Sequence, residues 1–514
     1  MSNSNRRLAI NIIANCIAFA VNFLINFFLT PYIVENVGKE IYGFVALGNN
    51  FVTYASLITI AINSMASRFI TIKIEQKDYE SASKYFSSVL FANILICLVL
   101  TIPMTLIVIF MQYIVDVPVN GIHDIKMLWA LLFINFFIEL MSNVFSISTF
   151  ATNRVDLSAR RSIEGYIIKA VILVGCYKFF PPYVLFVGVS TTIYSLYNLV
   201  INIRYKKKLI PEVEVKKTLF EKRYIKDLIT SGIWNTISRV GSIALTELDL
   251  LLSNILIDAS AMGILSLVKL IPNYIVSLTS TITNAFMPQL TISYAKEKED
   301  KNYMLNKIRN SIRILLVFHS VIYGILIAFS DVFYRLWLPG ETQETISYMY
   351  MIGIISIGGC FISAVSNVMS NIFTVFNKLK VSSITVILTG LISSLLTFVI
   401  VKNTSLGLIA IAGVSVVLVI IRNIVILMPY AAKCIGVPIY TFYKDMILNI
   451  FVIACSVFIS FFIKNITNIN GWIEFIIICA IDATIIFAIN FFIILKKEER
   501  QYIISKLRKE QKNV

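Results

Sequence analysis

Residues 8–34 read LAINIIANCIAFAVNFLINFFLTPYIV, a charge-free run of 27 residues placed directly after Arg6 and Arg7. A helix needs about 20 apolar residues to cross the hydrocarbon of a bilayer. The apolar core of a cleaved leader is shorter, so this run is expected to stay in place as a first span. Comparable runs occupy 86–114, 381–401 and 473–495. A membrane barrel would instead show alternating strands of about ten residues. Lipid offers no water to backbone amides, so long unbroken apolar runs imply helices. Composition agrees: 58% of the 514 residues are hydrophobic and 14% are charged, against about a quarter charged in soluble domains.

The expected fold is therefore an all-α integral membrane protein with fourteen transmembrane helices. The predicted spans are 8–34, 41–67, 85–114, 124–150, 163–180, 183–203, 227–257, 260–290, 310–338, 345–375, 381–401, 405–430, 445–466 and 472–495. With the N-terminus in the cytoplasm, inner segments carry 36 of the 45 Lys and Arg residues. Outer segments carry six: Lys39, Lys126, Lys178, Arg335, Lys402 and Lys464. That bias is the positive-inside pattern and places both termini in the cytoplasm. It also accounts for the net charge of +16 without nucleic acid. The basic loop at 204–226 is the densest, and contact with anionic lipid is a second use for it.

Shifting the chain by 220 residues lays the polar positions of span 1 on those of span 7: Asn15 on Asn235, Asn22 on Ser242, Asn26 on Thr246. In the next span Gly43 falls on Gly263 and Asn49 on Lys269. The repeat implies a six-helix bundle at 1–225, a second at 226–440, and two further helices with a basic tail at 441–514. Six spans per half preserve orientation, so the pseudo-twofold axis runs along the membrane normal.

The polar residues of these spans form stripes. At about 100° per residue, Asn11, Asn15, Asn22 and Asn26 share one face of span 1. Span 2 carries Asn49, Thr53, Ser56, Asn63 and Ser67; span 7 carries Asn235, Arg239, Ser242, Thr246, Asp249 and Ser253. Asn, Ser and Thr serve either as bonds between helices or as the lining of a wet cavity. Charge in mid-membrane favours the cavity for Arg239, Asp249 and Lys269, because an ion needs water or a partner. In a regular helix Glu247 lies about 120° off the stripe, so Asp249 is the acid expected to share a cavity with Lys269. Arg68, at the end of span 2, is either a cavity residue or a positive-inside residue. Glu139 and Lys169 could pair, and Asp482 stands alone in span 14, either protonated or facing a groove.

No phosphate loop, G-x-S-x-G or H-E-x-x-H motif is present, and the loops are short, so enzymatic activity and ATP hydrolysis are not expected. The seven cysteines form no CxxC pair and the two histidines are far apart, so no metal site or other cofactor is expected. Coupling to Na+ or H+ is the one ionic requirement foreseen.

Three stretches resemble the polysaccharide-flippase branch of the multidrug/oligosaccharidyl-lipid/polysaccharide exporter superfamily. In 29–50, LTPYIVENVGKEIYGFVALGNN, Val37-Gly38 and Glu40-Ile41-Tyr42-Gly43 stand where that family has a Leu-Gly turn and an acidic-Tyr-Gly start of span 2. The turn at Asn377-Lys378 into span 11 and the sequence SLGLIAIAGVSV at 405–416 are similar to the family's later spans. The resemblance implies two six-helix bundles around a central cavity, alternating access, and export of a lipid-linked oligosaccharide across a bacterial inner membrane. O-antigen, capsule, lipopolysaccharide or related glycan assembly would be the setting, with membrane lipids, a glycan polymerase and glycosyltransferases as neighbours. The diphosphate would meet Arg239, Lys269 and Arg68. Asn15, Asn22, Asn26, Asn49, Asn235, Ser242 and Thr246 would meet sugar hydroxyls. Relatives that export drugs with sodium or protons share the fold, and Asp249 or Glu247 would then be the ion site. A membrane scaffold for glycan synthases is a third reading.

Overall fold

The computed structural model describes residues 3–118, 121–280, 282–283, 301–359, 361–376, 378–495 and 500. These residues are helical throughout, with no strand among them. Among the described residues, eleven helices are long and apolar enough to span a membrane. The chain is a multi-pass membrane protein, and its lipid-facing surfaces are visible as exposed apolar residues such as Leu95, Leu98 and Ile102. The other three predicted spans fall on helices that carry more charge, a π-turn or a break.

The chain divides into two compact units, Met1–Ser266 and Leu267–Val514. The first contains α1 (Asn3–Val37), α2 (Lys39–Glu75), α3 (Tyr79–Ile109), α4 (Ile122–Ala151), α5 (Val155–Phe179) and α6 (Leu185–Leu209). It also contains α7 (Lys222–Ser242), α8 (Leu248–Leu256) and most of α9 (Ala259–Val268). The first unit extends past the repeat boundary at 225 because α7 packs on α2 and α3.

Two close approaches fix α2. A Cβ on Gly232 of α7 would fall on the carbonyl oxygen of Ala61, so only glycine admits this crossing. A Cβ on Gly43 would lie 3.1 Å from Cα of Gly263, so two positions equated by the 220-residue shift touch. Between α1 and α2 a single residue turns the chain: Gly38 sits at φ 82°, a region costly for residues with a Cβ. Asp78 caps α3 by accepting from the Ser81 amide at 3.1 Å and pairs with Lys73 at 3.0 Å. Those two interactions, the amide first, hold its carboxyl below the usual carboxylate range.

The loop after α6 is pinned to α3 by a ladder of buried serines. Ser83 Oγ accepts from the Glu214 amide at 2.8 Å, Ser87 Oγ from Lys216 at 3.2 Å and Ser88 Oγ from Glu221 at 3.0 Å. Val213 is fully buried beneath it, and its carbonyl accepts from Lys206.

The second unit contains α10 (Lys301–Trp337), α11 (Gln343–Gly358), α12 (Ser363–Val375), α13 (Leu379–Asn403), α14 (Leu408–Arg422), α15 (Met428–Ile435), α16 (Tyr443–Asn465) and α17 (Trp472–Ile494). The predicted span at 345–375 is α11 and α12, separated by a break around Gly359. Helix α10 is the central element, packing on α11, α12, α16 and α17.

Candidate functional site

The α7–α8 helix is interrupted by a π-turn at Ile243–Glu247. A π-turn inserts one extra residue into a helix and so rotates everything beyond it by about 100°. Arg239 and Glu247 are eight positions apart in sequence. In a regular helix they would diverge by about 80°; with one residue absorbed by the π-turn they differ by about 20°. Arg239 Nη2 accordingly meets Glu247 Oε1 at 3.5 Å. Both side chains are about one third exposed, at 38% and 28%, so this is a screened pair whose value is position more than stability.

Helix α2 holds the π-turn in place. Asn50 Nδ2 donates to the Glu247 carbonyl at 2.7 Å, and the Tyr54 hydroxyl donates to the same oxygen at 2.9 Å. Neither residue belongs to the α2 stripe read from sequence. Asn50 is one position from Asn49, and that single step of about 100° takes it from the exposed face to α8. A second π-turn, at Asn423–Leu427 in the other unit, is held in the same way: Tyr443 donates to the Ile424 carbonyl at 2.9 Å.

The predicted site residues separate into two groups. Asn15, Asn49 and Thr246 are exposed, and Asn22, Asn26, Asn235 and Ser242 are half-buried. Asn26 Nδ2 donates to Asn22 Oδ1 at 2.7 Å, one turn away on α1. Asn235 Nδ2 donates to Ser64 Oγ at 3.2 Å, tying α7 to a serine outside the expected stripe. Thr246 Oγ1 bonds the Ser242 carbonyl at 2.9 Å. Arg68 is exposed about two turns before the end of α2, whereas Asp249 is buried in α8. Lys269 is half-buried and belongs to the second unit.

Other stripe members serve as links between helices. Asn63 and Asn93 exchange bonds between α2 and α3, at 3.0 and 3.3 Å. Asn11 donates to Asn153 Oδ1 at 2.8 Å and accepts from the Asp156 amide at 3.1 Å, fastening α1 to the start of α5. Glu139 of α4 accepts from Ser195 of α6 at 3.2 Å, and among the described residues no ion pair joins it to Lys169 of α5.

A polar, cation-bearing stripe on the helices of a multi-pass membrane protein is thus what the first unit presents. Among solved structures, the lipid II flippase MurJ in an inward closed conformation aligns with a TM-score of 0.67 at 13% identity, over 93% of this chain and 97% of that one. An inward-facing multidrug resistance MATE family transporter of the MOP superfamily aligns with a TM-score of 0.64 at 14% identity, over 83% and 98%. A curated relative is the uncharacterized membrane protein EpsK of Bacillus subtilis (strain 168), 25% identical over 506 residues and 98% of each chain. The family described as Polysaccharide biosynthesis protein matches residues 8–293, more than half of the sequence, and the chain belongs to that family.

Proposed function

We propose that this protein flips a polyprenyl-diphosphate-linked oligosaccharide across a bacterial cytoplasmic membrane, by alternating access, during assembly of a cell-surface polysaccharide. One observation carries the reading: Arg239 is held on a partly exposed polar face by Glu247, at a π-turn that α2 supports from behind. A guanidinium suits a diphosphate, since its planar fork bonds two oxygens at once. Exposed carboxamides and hydroxyls of Asn15, Asn49 and Thr246 suit sugar hydroxyls. Arg68 on α2 and Lys269 in the second unit are the further cations of this reading, and both termini face the cytoplasm. Membership of the polysaccharide biosynthesis family favours a glycan cargo. A glycan polymerase and glycosyltransferases are the expected neighbours in the membrane.

Arg239→Ala in a flippase-deficient host tests this. Surface polysaccharide should fall at least tenfold and lipid-linked precursor should accumulate, with the protein still in the membrane. Normal export by the variant would overturn the role of Arg239. A cation-coupled drug exporter is the competing reading, supported by the fold shared with the multidrug transporter. It would show itself as altered drug sensitivity with unchanged surface glycan.

A further inference from the structure

In the second unit, α10, α16 and α17 enclose a polar seam unconnected in sequence with the Arg239 stripe. Asn490 Nδ2 of α17 donates to Ser320 Oγ of α10 at 2.8 Å and to Ser456 Oγ of α16 at 3.0 Å, binding the three helices at one level. One turn along α16 stands Ser460, and two turns back along α17 stands Asp482. Asp482 is 0% exposed. Neither of its oxygens nor Ser460 Oγ, which lies beside the carboxyl, makes a hydrogen bond of ordinary geometry. Ser460 is the hydroxyl that faces the carboxyl. Gly324 of α10 lies against this hydroxyl, where a Cβ would come within 2.9 Å of Ser460 Oγ.

Several charged and titratable groups on the packed helices have partners of their own. Lys464 of α16 is held by the Asp331 carboxylate at 2.6 and 2.7 Å and by the Ala328 carbonyl at 2.8 Å. His319 of α10 shares a bond with Thr279 Oγ1 at 2.8 Å. Arg309 pairs with Asp445 at 3.1 Å, and Arg335 donates to the Ile469 carbonyl at 2.8 Å. On α17 itself the titratable neighbour is Cys479, one turn away.

A bare carboxylate without a counter-ion is among the costliest groups to place in a low-dielectric interior. A carboxylic acid is neutral and carries its own donor, which Ser460 Oγ can accept. Three oxygens, two from Asp482 and one from Ser460, fall well short of the six or so that a hard metal cation takes. We propose that Asp482 is a proton-binding site, occupied when α16 and α17 are closed on α10 and emptied when they part and admit water. A ligand that binds one arrangement and not the other biases the equilibrium between them, so the proton becomes the coupling ion. The site stands whatever the cargo.

Infrared spectra of the full chain in liposomes, with the proton as sole ligand, test the site directly. The wild type should show a protonated-carboxyl C=O band at neutral pH that shifts in D2O and is missing from Asp482→Asn. Ser460→Ala should move that band to higher frequency, and Asp482→Glu should retain one. Raising the pH should bleach it, while adding Na+ at fixed pH should not. Identical spectra for wild type and Asp482→Asn would overturn the proposal, as would a band removed by Na+. In cells, Asp482→Asn should flatten the dependence of surface-glycan export on external pH. Failure of the infrared result sinks the proton site alone, whereas unchanged glycan export in Arg239→Ala sinks the flippase reading alone.

Discussion

The Glu247 carbonyl is the most informative single atom in the first unit. It accepts from both Asn50 and Tyr54, and that double bond to one acceptor sets a definite energetic expectation. Each donor removed alone leaves the oxygen satisfied by the other, so Asn50→Ala or Tyr54→Phe should each cost about 1 kcal/mol or less. The double variant strands a carbonyl beside the π-turn and should cost more than the two singles together. Thermal unfolding of the purified protein measures this as a double-mutant cycle. Strict additivity would show that the two donors do not share the acceptor's stabilisation. A non-additive loss would establish that α2 holds the turn that brings Glu247 to Arg239.

Helix α7 meets α2 where neither can carry extra volume. Gly232 lies against the Ala61 backbone, and a backbone atom cannot swing aside as a side chain would. Gly232→Ala should therefore destabilise by about 1–3 kcal/mol through overpacking. Gly175 in α5 is the control, because a Cβ there meets nothing within 4 Å. Gly175→Ala should be neutral or stabilising by about 0.5–1 kcal/mol, since alanine loses less backbone entropy in a helix. The comparison uses the same unfolding assay, and equal effects at the two positions would refute the packing argument. The serine ladder on α3 works at the same scale. By bonding the amides of Glu214, Lys216 and Glu221 it orders a segment whose composition alone suggests a solvated basic connection.

For the molecule as a whole, orientation follows from charge. The 36-to-6 division of basic residues between the two sides predicts cytoplasmic termini. Single cysteines placed at Pro118 and Gly340 in a cysteine-free background should react with an impermeant reagent applied to sealed cells. Cysteines at Lys208 and Glu212, both exposed in the structure, should react only after the cells are opened. Labelling at 208 or 212 from outside would invert the topology.

The sequence by itself determined that the chain is a helical membrane protein. Its apolar runs exceed the thickness of a bilayer, and lipid leaves the backbone no alternative to helix. It also exposed the glycine turn at Gly38, the Gly43–Gly263 equivalence and the candidate stripe with Arg239, because composition and period are properties of the chain. The partners of the polar residues were decided elsewhere. Asn11, Asn63 and Asn22 look alike along a 3.6-residue period. Yet the first bonds the α4–α5 turn, the second bonds α3, and the third bonds its own helix at a half-buried face. Glu247 moved from off the stripe to a partner of Arg239 because one residue was absorbed in a π-turn, and helical periodicity assumes that no such slip occurs. Asp482 was visible as a lone charge in an apolar run. Only the packing of α10, α16 and α17 around it buried the carboxyl beside Ser460 and gave Lys464 to Asp331 instead.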